Sequence, residues 1–164
     1  MLQRLRLATN NGILFAGSRV TMVGITDGTS NTWLVGEDSD HLRDANGQPV
    51  TAGYTAGYGT SGGLYGWTMG AQHPVGGNQA GWGDGRHFNC TSVRYALNQR
   101  GLTNSSANGT NNDVGTNFPL KSGHSGGVNI AMADGSIRFY SNSLSLTAIS
   151  AFATRAGGEV GTDQ

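Results

Sequence analysis

The scarcest residues of this chain exclude most of the ordinary possibilities. Its 164 residues hold one lysine, two glutamates and three prolines against 13 aromatic side chains. Disordered segments are usually rich in the first three types and poor in the last, so ordered structure is expected. No run of about 20 apolar residues is available to span a bilayer, and no secretory signal peptide is recognisable. Residues 1–7 alternate apolar and basic side chains but are too few for either role, so an export segment, if the protein is exported, lies outside this chain. Ten basic and ten acidic side chains cancel formally. No basic stripe of the kind that binds nucleic acid by counterion release is present. Cys90 is the single cysteine, which rules out an internal disulfide. It reads as a small buried apolar residue or, alternatively, as half of an intermolecular bridge.

What is abundant points the other way. Glycine occurs 28 times, with 14 asparagines, 16 threonines and 14 serines. Glycine weakens a helix interior by about 1 kcal/mol relative to alanine. Ser, Asn and Thr compete for its backbone hydrogen bonds. The same residues suit short strands joined by tight turns. The expected fold is therefore mainly β, α+β at most: one domain over 1–164 with an antiparallel sheet and long Gly-rich loops.

Along the chain, Asn10-Asn11-Gly12 reads as a turn before a strand at 13–16. Val20, Val23 and Ile25 allow a short helix near 19–26. Asp27-Gly28-Thr29-Ser30-Asn31 is a dense turn signal, and 32–37 is a buried strand. Residues 46–89 form a Gly-rich, aromatic-dotted loop region that is expected to pack over the sheet, with short strands near 63–69 and 90–98. Residues 103–116 read as an exposed loop. Strands at 128–133 and 136–140 flank Asp134-Gly135, a type I′ hairpin signal, and alternation puts Val128, Ile130 and Met132 on one face. Ser145 caps a short helix near 145–154 with Leu146, Ile149, Phe152 and Ala153 at helical spacing, ended by Gly157-Gly158.

Few residues suggest chemistry. His124 and Asp134 stand ten residues apart, about 30 Å if extended, so they form neither a dyad nor a metal pair unless the chain folds back at Ser125-Gly126-Gly127. Asp134 is explained by its turn. His124 is expected to be partly buried and to hydrogen-bond either the turn at 27–31 or the loop near Glu37. Asp38, Asp40 and Asp44 are candidate Ca²⁺ ligands, but their spacing is not that of an EF-hand, and a solvated loop is the better explanation. Asp84, Arg86 and His87 form a second small cluster with the same reading. His-Glu-x-x-His and phosphate-loop signatures are missing. No nucleophile–base pairing is discernible, so an enzyme is not expected. Three glycosylation sequons begin at Asn89, Asn104 and Asn108.

Four ordered segments carry a family resemblance. They are Ile25-Thr26-Asp27-Gly28-Thr29-Ser30-Asn31-Thr32 with Val35-Gly36-Glu37, then Val93-Arg94-Tyr95-Ala96-Leu97-Asn98. The third runs from Ser122-Gly123-His124-Ser125-Gly126-Gly127-Val128-Asn129 through Ala133-Asp134-Gly135-Ser136-Ile137-Arg138-Phe139, and the fourth is Thr154-Arg155-Ala156-Gly157-Gly158-Glu159. Together they resemble a type IV pilin-like family of planctomycete bacteria with a His-x9-Asp-Gly signature. The resemblance implies a β domain that normally follows a cleaved leader and a long apolar helix. That helix is absent from this sequence, which is then either a C-terminal portion or a variant that assembles without a helical core. His124, Asp134, Gly135, Asp27, Gly28, Asn31 and Glu37 become structural motif residues. The implied protein is an extracellular, cell-surface subunit that forms a homo-oligomer or filament, with no cofactor. The rival reading is a secreted carbohydrate- or Ca²⁺-binding module.

Overall fold

The computed structural model describes residues 10–15, 18–38, 43–48, 93–101 and 119–159. The expected strand at 63–69, the loops at 49–89 and 103–116, Asp40, the Asp84/Arg86/His87 cluster, Cys90 and the three sequons lie outside them.

A three-stranded antiparallel sheet forms the frame, in the order β1 (Trp33–Gly36), β2 (Gly127–Met132), β3 (Ile137–Ser141). Among the described residues one helix follows, α1 (Leu146–Ala153), and a single 3₁₀ turn, Met22–Gly24, precedes the sheet. The fold is therefore mainly β with a small helical part, as the composition predicts. No helix among the described residues is long and apolar enough to cross a membrane.

The alternation in β2 decides where the core lies. Val128, Ile130 and Met132 are all almost fully buried, and Tyr140 of β3 joins them. Helix α1 covers that face with Ile149 and Phe152, its start fixed by Ser145 Oγ, which accepts from the Ala148 N–H at 3.1 Å. Trp33 completes an aromatic trio. Its ring stacks on Phe152 at 5.4 Å between centroids and meets Tyr140 edge-on at 5.0 Å. Each fully buried Val, Ile, Met or Phe contributes about 1.5–3 kcal/mol relative to exposure, and each aromatic pair adds about 0.5–1.5 kcal/mol.

Among the described residues no element covers the opposite face of the sheet. Val35, Ile137 and Phe139 stand 51%, 72% and 54% exposed, around Ala131, the partner of Val35 and of Ile137. The two edges differ as well. Just past β1 the chain is extended by a bridge between Asp38 and Lys121, and the Lys121 N–H donates to the Glu37 carbonyl at 3.0 Å. Along β3 the register pairs Val128 with Tyr140 and Ile130 with Arg138. The Met132 N–H donates to the Ser136 carbonyl, so the antiparallel alternation directs the backbone of Ile137 and Phe139 away from β2. Among the described residues nothing bonds those outward groups.

Several local expectations need correction. Residues 13–15 bend instead of forming a strand, because Arg155 ties Asn10, Asn11 and Gly12 by their carbonyls to the C-terminal segment. Residues 93–98 are turns, not a strand. The helix near 19–26 shrinks to one 3₁₀ turn with no buried residue. Val23 is 90% exposed and only Ile25 after it reaches the interior, so no apolar face exists to hold a longer helix. Asp134-Gly135 is not a type I′ turn. Gly135 has φ +85 but Asp134 does not have positive φ, and Gly135 N–H donates to the Met132 carbonyl at 3.0 Å. The loop is thus a three-residue connection with glycine at its left-handed position. Gly157-Gly158 does not end α1, which already stops at Ala153.

Candidate functional site

Three polar side chains, each from a different segment, hold the irregular chain onto the sheet. The first is Asp27. The turn it opens needs Gly28 at φ +95, where a Cβ would also come within 3.2 Å of Asn31 Nδ2. Asn31 Nδ2 donates to the Asp27 carbonyl at 3.1 Å, and the fully buried Thr32 donates from Oγ1 to the Gly28 carbonyl at 3.0 Å. This leaves the Asp27 carboxylate aimed at the chain end beyond α1. It accepts from Gly157 N–H at 2.7 Å and Gly158 N–H at 2.9 Å, while the Asp27 N–H donates to the Arg155 carbonyl. The glycines read as a helix stop are instead donors to a buried acid.

Glu37 is the second. Its carboxylate accepts from the Asn129 N–H at 2.8 Å and from Asn129 Nδ2 at 3.1 Å, which fixes the start of β2 against the end of β1. Partial burial pushes this carboxyl up. The bonds from Asn129, another from Ser122 and the charge of His124 outweigh that effect and hold it below the ordinary value of 4.5. His124 Nε2 lies 3.3 Å from Glu37 Oε1. The predicted neighbourhood of Glu37 is therefore where the ring sits, but it is 60% exposed and not partly buried, since open glycines flank its loop.

Asn98 is the third, and sequence reading did not single it out. It is the one non-glycine residue at positive φ (53) among the described residues. Its side chain donates to the Gly127 carbonyl and to Asn142 Oδ1, and accepts from the Ser122 N–H. The signal available was its place at the end of Tyr95-Ala96-Leu97-Asn98, a polar residue closing an apolar run at which a turn requires the left-handed region. Beside Asn98 lies a polar depression of about 290 Å³, lined among others by Arg43, Arg100, Lys121 and His124, with no carboxylate among its described lining residues. Lys121 is buried and ion-paired to the Asp38 carboxylate.

The remaining candidates have local partners. Asp44 Oδ1 accepts from the N–H groups of Asn46 and Gln48, closing its own turn. Among the described residues no three His, Cys, Asp or Glu side chains come together as metal ligands. Asp134 Oδ1 accepts from the Ser136 N–H and Oγ at 2.8 and 2.7 Å. Those bonds, led by the Ser136 hydroxyl, hold its carboxyl below the usual carboxylate range. His124 and Asp134 stand beyond opposite ends of β2 and contact different partners. Gly123-His124-Ser125-Gly126-Gly127 has the Gly-x-Ser-x-Gly spacing of a nucleophile elbow, which the sequence reading passed over, as does Gly59-Thr60-Ser61-Gly62-Gly63 outside the described residues. An elbow has a strand before its serine and a helix after it. Ser125 instead sits in a turn that leads into strand β2.

A family model described as a protein of unknown function, DUF1559, matches residues 6–147. The chain belongs to this family. The match takes in Asp27, Glu37, Asn98, His124 and Asp134, so the DUF1559 region contains all three of the polar ties and both ends of the β2 signature. It stops before Arg155, Gly157 and Gly158, the partners that Asp27 holds. No curated protein and no solved structure matches the chain. Membership of DUF1559 agrees with the resemblance at the level of a family and leaves its pilin-like character as a proposal.

Proposed function

We propose that this DUF1559 protein is a pilin-like structural subunit of the bacterial cell surface, exported and assembled with copies of itself into a filament or a surface or secretion apparatus. One observation carries the reading: a β3 edge with no partner strand among the described residues, beside the exposed apolar side chains Val35, Ile137 and Phe139, on a sheet whose other edge is continued by Lys121. Exposed edges are sites of strand addition unless they are blunted. Contiguous exposed apolar side chains mark interaction surfaces. A formal charge of zero leaves little long-range repulsion between copies. In this reading the polar ties at Asp27, Glu37 and Asn98 are structural, and the protein is not an enzyme and needs no cofactor.

Negative-stain microscopy and light scattering of the purified chain test the proposal. Filaments, sheets or defined oligomers are expected to grow with concentration. A strict monomer at high concentration in low salt rejects assembly. If such a monomer also bound a glycan array or Ca²⁺, the ligand-binding module would take its place.

A further inference from the structure

Resting on that assembly reading, we infer that the partner surface is β3 itself, pairing antiparallel with β3 of a second copy about a two-fold axis at Phe139. The outward backbone groups of β3 belong to Ile137, Phe139 and Ser141. The Ser141 carbonyl already accepts from Leu144 N–H, though a carbonyl has a second lone pair. Only registers that face these residues with one another make a ladder. Centred on Phe139, the pairing sets Phe139 against its copy and Ile137 against Ser141, so the whole of Ile137–Ser141 is used.

The competing registers are worse for stated reasons. Centred on Arg138, two guanidinium-bearing side chains stand directly opposite each other, which is destabilising in a sheet. Centred on Tyr140, Ile137 must pair with Ser143, which lies in the turn after β3. In the Phe139 register, Arg138 faces Tyr140 instead. Arg138 thus works as a register selector: a charge on an edge strand normally discourages pairing, and here it excludes one alignment and leaves another. The product is a two-fold building block, closed along this edge. Its combined sheet carries Val35, Ile137 and Phe139 from both copies on one outer face, so any further growth uses that face or another surface.

Single cysteines in the full chain, on a Cys90→Ser background, test this. Hydrogen-bonded antiparallel partners have Cα atoms about 5.5 Å apart, within the range a disulfide spans. Under mild oxidation Phe139→Cys is expected to give a covalent dimer on a non-reducing gel, and Arg138→Cys is not. Because Phe139 shields Gly127 and its loss could disturb folding, Ile137→Lys provides a second readout. This exposed substitution is expected to leave the melting temperature unchanged at concentrations low enough for the monomer to dominate and to raise the dimer dissociation constant on the order of tenfold or more. Cross-linking of Arg138→Cys instead overturns the register. Absence of both cross-links, or an unchanged dissociation constant for Ile137→Lys, in a wild-type protein that still assembles overturns the β3 surface and leaves the assembly reading standing. A wild-type monomer overturns both.

Discussion

Two Asp-Gly turns among the described residues, at Asp27-Gly28 and Asp134-Gly135, have opposite fates. In the first, Asp27 is buried and its carboxylate grips backbone from beyond α1, 130 residues away in sequence. Asp134-Gly135 is exposed and its carboxylate serves only Ser136, two residues on. The turns even touch, the Asp134 N–H donating to the Thr29 carbonyl at 3.1 Å. An Asp-Gly pair therefore announces a change of direction, while what its carboxylate does depends on which chain the rest of the fold brings to it.

Substitution of Asp27 separates the two most strongly. Asp27→Ala leaves the N–H groups of Gly157 and Gly158 without their acceptor in a part-buried site. Hydrogen bonds to a charged group contribute about 1.5–3 kcal/mol each, and because Gly157 and Gly158 are exposed, water takes over part of what the carboxylate supplied. A loss of about 2–4 kcal/mol is expected from urea unfolding. Chain loosening should be confined at first to 155–159, visible as faster amide exchange there. A loss no greater than that of Asp134→Ala would remove the distinction between the turns.

The glycines give the next step. Gly28 and Gly135 both have positive φ, +95 and +85, so alanine at either costs about 1–2 kcal/mol of backbone conformation. A Cβ at Gly135 meets nothing within 4 Å, whereas at Gly28 it presses on Asn31. Gly28→Ala should therefore melt below Gly135→Ala. Equal melting temperatures would mean that Asn31 moves aside without cost.

This comparison also shows what could be read from sequence. Period-two alternation of Val128, Ile130 and Met132 and the Ser145 cap were legible, because strand pleat and helix capping are local rules. The hairpin was legible in position but not in type, since one residue of loop length separates the alternatives. The polar ties were only half visible. Asp27, Glu37 and His124 stood out, and the loop near Glu37 was one of the two places expected for the His124 ring. Gly157, Gly158 and Asn129, which the two carboxylates hold, and the whole Asn98 tie did not, because no periodicity links residues so far apart. The β3 edge, unpaired among the described residues, was invisible, because strand pairing depends on which distant segments the fold brings alongside.

Glu37 places a third carboxylate between the two aspartates. Its pKa is lowered in the fold against the opposing effect of burial. The sign follows by linkage: a carboxyl depressed in the folded state stabilises above its unfolded value, and that contribution is lost as pH falls through the folded one. Stability should accordingly begin to decline near the ordinary value of 4.5 and continue below it. Glu37→Gln should flatten that acid limb in chemical unfolding measured at successive pH values, with a smaller loss at neutral pH than Asp27→Ala. An acid limb of wild-type steepness in Glu37→Gln would assign the titration elsewhere.

The smallest effect belongs to Asp134. Its carboxyl is also held low, first by the Ser136 hydroxyl and then by the Ser136 N–H, so the same sign applies: its contribution is present above the unfolded value and lost as pH falls through the folded one. The group is exposed, however, and water competes for both donors. Asparagine keeps an Oδ1 that can accept from the same N–H and hydroxyl. Asp134→Asn should thus leave the melting temperature within the scatter of repeated scans and leave assembly unchanged, while Gly135→Ala in the same turn lowers it. A marked loss of stability or assembly in Asp134→Asn would show that the negative charge itself is used, and a Ca²⁺ titration of wild type against the variant would then identify whether a cation is its partner.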